Sequence, residues 1–103
     1  MRLYILILKV AGCLPEALPA MYGTSRSALG AAVVELDRVM REHGFSGGRY
    51  TLYPPYRAGD SINLTAVSEK TNGYPQAVTA DIYVQPVIID EDIGEDFQEV
   101  QGK

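Results

Sequence analysis

Two side chains in this sequence have the chemistry of a nucleophile and a base, Cys13 and His43, and each is the sole residue of its type. A thiol beside an imidazole is the usual activated-cysteine pair. A serine–histidine–acid arrangement would need the same His43. The context of neither residue points to such a pairing. Cys13 follows a glycine after a strand pattern, and His43 precedes a glycine at the end of a helical pattern. Lone residues of these types more often pack or face solvent than react, so the chain reads as a non-enzyme. The glycines at 44, 47 and 48 do not make a phosphate loop, because no Gly-Lys-Ser/Thr ending follows them. A single cysteine excludes an intramolecular disulfide, and one cysteine with one histidine supplies no zinc set. Neither a metal nor a cofactor is expected.

Chemistry of contact is better represented. Tyr50, Tyr53, Tyr56 and Tyr74 fall on or near turns, and Tyr53-Pro54-Pro55-Tyr56-Arg57 joins two of them through paired prolines. Tyrosine offers a large rigid area with one polar handle and is enriched at binding surfaces. Arg57 adds a charge for an acidic partner or an aromatic ring. The expected partner-binding set is therefore Tyr50, Tyr53, Tyr56, Arg57 and Tyr74. The competing reading, equal in weight, is that the prolines stiffen a connection and the rings pack at a sheet rim.

Residues 17–29 carry the cadence of a helix-turn-helix. Ser25, Arg26 and Ser27 would open its recognition helix and face a major groove. Pro19 opposes this, because it stands where a helical residue is wanted. An ordinary capped helix is preferred. Leu3-Tyr4-Ile5 resembles in part the aromatic first-strand motif of RNA-recognition domains, but the companion basic and aromatic motif is absent. Tyr4 is assigned to the core.

Charge bears on the same question. Residues 1–89 hold seven acids and eight bases, and residues 90–103 hold six acids and one base, which together give the net charge of −4. A near-neutral body lacks the broad positive field of a non-specific nucleic-acid binder. The acidic tail keeps a chain soluble in its simplest role. Ile93, Phe97 and Val100 punctuate its acids at spacings of four and three, the pattern of a short docking helix.

Elements must position these residues. Residues 2–10 read as a strand whose two faces, Leu3, Ile5, Ile7 and Tyr4, Leu6, Leu8, Val10, are both apolar, which marks a strand central in its sheet. The same run, ending in Val10-Ala11-Gly12-Cys13, also looks like a signal peptide with a lipidated cysteine. Its six apolar residues before Lys9 fall short of a signal core. No stretch approaches the length of a membrane-spanning helix. Residues 14–22, with Pro15 and Pro19, suggest one helical turn or an irregular connection. Residues 25–43 form the clearest helix. Thr24 or Ser25 caps its start, and Leu29, Ala32, Val33, Leu36, Val39 and Met40 form its apolar stripe. Gly44 ends it.

Strands follow at 49–53, 61–70 and 77–89, the last broken at Pro86 or holding it at an edge or bulge, with a rigid exposed loop over 53–60 and a strong turn at 71–75. The expected order is β-α-β-β-β. One main helix lies on a four-stranded, mostly antiparallel sheet, giving a two-layer α+β domain over 1–89 with an acidic tail over 90–103. A single helix covers one sheet face, so a homo-oligomer through sheet faces or edges is expected to cover the other.

The function expected is that of a small, cytoplasmic, protein-binding module acting as an oligomer. Size and the absence of motifs extend this to a phage or mobile-element accessory protein, or an inhibitor of host machinery. The alternatives are a helix-turn-helix DNA-binding regulator and a structural subunit of a larger assembly. Nucleic acid and membrane are not expected partners.

Overall fold

A computed structural model describes residues 2–70 and 77–88. Residues 71–76 and 89–103, which carry Tyr74, the expected turn and the acidic tail, lie outside the described residues. The elements are β1 (Arg2–Val10), β2 (Glu16–Tyr22), α1 (Ser25–Glu42), β3 (Tyr50–Leu52), β4 (Tyr56–Ala58), β5 (Ser61–Ser68) and β6 (Thr79–Ile88). The class is α+β, with one helix packed on an antiparallel sheet. The sheet has six strands where four are expected, in the order β2-β1-β6-β5-β3, with β4 also pairing β5.

The doubly apolar β1 does lie inside the sheet, between β2 and β6. Its pairing with the last strand runs over nine residue pairs, from Arg2↔Ile88 to Val10↔Ala80. Directly opposite residues share a face. Leu6 and Leu8 therefore lie with Val84 and Ile82 under the helix, and β5 adds Ile62, Leu64 and Ala66 to the same side. From above, α1 contributes Ala28, Ala32, Leu36, Val39 and Met40. Alanines at 28, 32, 66 and 80, all fully buried, let helix and sheet approach closely. The stripe is rotated slightly from the expected one: Ala28 is inside, Leu29 is half-buried and Val33 is exposed. Tyr4 packs against this core, as assigned.

Both ends of α1 are closed by local chemistry. Thr24 has extended backbone angles and its hydroxyl accepts from the Ser27 amide at 3.1 Å. At the other end Gly44 adopts φ +88°. The Phe45 amide donates to the Met40 carbonyl at 2.8 Å, and the Gly44 amide to that of Arg41 at 3.0 Å. This pair of bonds is the Schellman arrangement, and the buried Phe45 supplies its apolar contact.

Three expectations are corrected. Residues 16–22 are an edge strand, not a helical turn. Pro19 is accommodated because β2 bulges there: three residues, 18–20, stand against Leu6 alone, and the sheet edge needs no donor from proline. The expected loop over 53–60 is exposed, but three of its eight residues form the strand β4. Finally, β6 runs through Pro86 without a break. Its pairing with β5 stops at Val84, so Pro86 lies where β6 has β1 as its neighbour on one side and no β5 residue on the other.

Candidate functional site

Candidate contact residues lie on the edge formed by β3 and β4. Both strands run antiparallel along β5. Tyr50 opposes Ser68 and Leu52 opposes Ala66, after which the Tyr53 amide donates to the Thr65 carbonyl at 2.9 Å. Pairing resumes with Tyr56 opposite Asn63, shifted by one residue. The shift falls at Pro54-Pro55, which have no amide hydrogen to give. The two short strands are thus one edge strand interrupted by a proline bulge. It closes on β5 through Gly59-Asp60, where Gly59 takes φ +62° and Asp60 does not, the sign pattern of a II′ hairpin turn.

This arm is uncovered. Every residue from 51 to 60 is exposed, with Tyr53 at 50% and Tyr56 at 67%. Alternation along the strand and the bulge together separate the tyrosines in role: Tyr53 alternates away from the face of Tyr50, and the register shift sets Tyr56 opposite Asn63 on that other face. Tyr50 faces the helix, where its hydroxyl donates to Asp37 Oδ1 while Arg41 Nε donates to Asp37 Oδ2 at 2.6 Å. The Tyr50 hydroxyl, then Arg41, hold the Asp37 carboxyl below its ordinary range, and the same bond raises the Tyr50 phenol. Tyr50 ties sheet to helix. Tyr53 and Tyr56 have no such task, and Arg57 is exposed opposite Ile62. Of the expected set, the structure thus brings Tyr53, Tyr56 and Arg57 onto one exposed arm, and Tyr74 lies outside the described residues.

Beside Tyr53 is a cleft of about 330 Å³, lined by Arg49, Thr51, Tyr53, Val67 and Glu69 together with Gly48, Tyr50 and Ser68. Its charges are already matched. Arg49 Nε donates to Glu69 Oε1 at 2.7 Å, its Nη1 to the Gly44 carbonyl at 3.1 Å, and its guanidinium lies 5.4 Å from the Phe45 ring centre.

The helix-turn-helix weighed as an alternative over 17–29 is not formed, and α1 is the ordinary capped helix that was preferred. Residues 17–22 belong to β2, so the helix that would precede the turn is a strand. Local chemistry uses the supposed reading residues differently. Ser27 is drawn into the cap, its hydroxyl bonding to Thr24, and Ser25 is half-buried, while Arg26 is exposed. On the same helix Arg38 pairs with Glu35 and Glu42, and Arg41 with Asp37. These charges are internally neutralised on a solvated face.

His43 caps α1, with Nδ1 2.9 Å from the Val39 carbonyl, and Cys13 is exposed in the turn after β1. Among the described residues no hydrogen bond joins them. No group of three potential metal ligands gathers among the described residues, and no helix there is long and apolar enough to cross a membrane.

Sequence reasoning placed Leu3, Ile5 and Ile7 on an uncovered sheet face but did not single out the β5 and β6 residues that share this second face. On it lie Leu3, Ile5 and Ile7 of β1, Asp81, Tyr83 and Val87 of β6, and Asn63, Thr65 and Val67 of β5. All of these are half-buried, and no second layer of the described chain packs over them. Asn63 Oδ1 is buried there without a hydrogen-bond partner among the described residues. The alternation Asp81, Tyr83, Gln85, Val87 was the available signal. Comparison with known proteins finds no matching family model, no matching curated protein and no matching solved structure.

Proposed function

We propose that this chain is a non-enzymatic protein-binding module that acts as an oligomer and grips its partner with the Tyr53–Tyr56–Arg57 arm. One observation carries the reading: two large aromatic side chains stand half or more exposed on a strand stiffened by adjacent prolines. Exposed aromatic area on a pre-ordered backbone loses little conformational entropy on binding, which is what makes such residues dominant contacts. Arg57 beside them favours an acidic or aromatic counterpart.

A tagged wild-type chain and its Tyr53→Ala/Tyr56→Ala variant test the reading. Each is used to capture partners from lysate of the source cell, with and without nuclease. A stoichiometric protein that survives nuclease on the wild type and is lost from the variant supports the arm. A partner held equally by both removes the arm from the account. Recovery of nucleic acid in place of protein turns the function towards nucleic-acid binding.

A further inference from the structure

We propose that the uncovered sheet face is the contact between two copies of this chain. The copies stack face to face about a two-fold axis that runs along the strands between β1 and β6. This deepens the oligomeric half of the function proposed above and rests on it, while partner capture by the tyrosine arm does not depend on it.

Charge placement selects a second copy as the occupant. Lys9 and Asp81 are direct cross-strand partners on this face. They nonetheless do not bond to each other. Lys9 Nζ donates to the carbonyls of Val10 and Cys13, and Asp81 accepts from the Thr65 hydroxyl. Among the described residues neither has a salt-bridge partner. An axis along the strands between β1 and β6 carries β1 of one copy over β6 of the other and keeps each residue at its level along the strand. Each lysine then sits over an aspartate, twice, and the flexible lysine stem spans the offset that sheet twist introduces. The same operation sets Ile7 over Tyr83 and Leu3 over Val87. The face is complementary to itself in both charge and apolar character.

Size agrees at the lower end. About this axis β1 lies over β6 and β2 over β5, so four of the five strand positions overlap and the β3–β4 edge overhangs. At about 4.8 Å per strand and roughly eight residues of about 3.4 Å each, the overlap offers roughly 520 Å² per copy. Two copies bury about 1,050 Å², just above the roughly 1,000 Å² that a specific interface should clear. Edge pairing is the competing route to a dimer, and both edges carry prolines, Pro19 on β2 and Pro54-Pro55 between β3 and β4. Proline at an edge opposes strand addition.

The test weighs the full chain at micromolar concentration by sedimentation. The wild type is expected at the mass of two chains. Lys9→Asp alone and Asp81→Lys alone place like charges across the axis, and each is expected to weaken association at least tenfold. Mixing the two single variants restores opposite charges between copies and is expected to recover the dimer, which a change inside one chain cannot do. A second measurement needs no variant. Zero-length carbodiimide coupling of mixed ¹⁵N-labelled and unlabelled wild-type chains is expected to give a mixed-label Lys9–Asp81 cross-linked peptide. A monomeric wild type overturns both this inference and the oligomeric half of the function. A dimer without that peptide, indifferent to both variants, overturns this inference alone.

Discussion

Beneath α1, strand β1 places Leu6 and Leu8 at 1% and 8% exposure, while on its reverse the same strand places Ile5 and Ile7 half-buried. The side chains are nearly the same in size and apolar character, and only the cover differs. Fully burying such a side chain stabilises by roughly 1.5–3 kcal/mol. The helix side has realised that gain within one chain. The open side has realised part of it, and the remainder is available to association. On the proposal above, a strand apolar on both faces encodes two different events: folding on one side and assembly on the other.

The largest expected effect lies on the covered side. Leu36→Ala removes a fully buried side chain from the centre of α1 and should cost about 2–5 kcal/mol in urea unfolding. Ile7→Ala, measured where the chain is monomeric, should cost less than about 1 kcal/mol, because its site is already partly open. Equal costs would break the comparison and show that the chain covers its own second face.

Thr24→Ala comes next. Loss of the hydroxyl that accepts from the Ser27 amide should destabilise by about 1 kcal/mol without altering the mass in solution. Tyr50→Phe acts through pH. Asp37 is held below its ordinary pKa, so its contribution is present above the unfolded value of about 3.9 and is lost as pH falls through the folded one. Removing the Tyr50 hydroxyl, the larger cause, should flatten the acid limb of the stability profile in thermal unfolding. At the small end, Tyr53→Ala and Tyr56→Ala should each stay within about 0.5 kcal/mol of wild type, since both rings face solvent.

The helix and its caps were legible in the sequence because their signals are local: a hydroxyl at the start, a stripe at helical spacing, a glycine past the end. The central place of β1 was legible for a different reason, that two apolar faces require two covers. Strand β2 was not, since Pro15 and Pro19 suggest broken helix and nothing within 14–22 announces that β1 offers an edge where a bulged strand is tolerated. The short strand inside the proline-rich arm was missed for the same reason. Pro54-Pro55 carry a loop signal, and only the register against β5 shows them as a bulge in an edge strand. The tyrosines were found by type, yet type alone could not separate Tyr50, bonded to Asp37, from Tyr53, on the opposite strand face, and Tyr56, beyond that bulge. Lys9 and Asp81 lie far apart in the sequence, and no local pattern brings them opposite each other.

The prolines at the two sheet edges also bear on what happens when the chain becomes crowded. Growth by adding strands, the route to fibrils, meets a residue without an amide hydrogen at either end. The stacking proposed above is self-terminating, because a two-fold axis consumes each face once. A rising concentration should therefore saturate one discrete species and leave no threshold beyond which polymer appears. Such a chain could accumulate to high abundance in a cell without seeding its own precipitation.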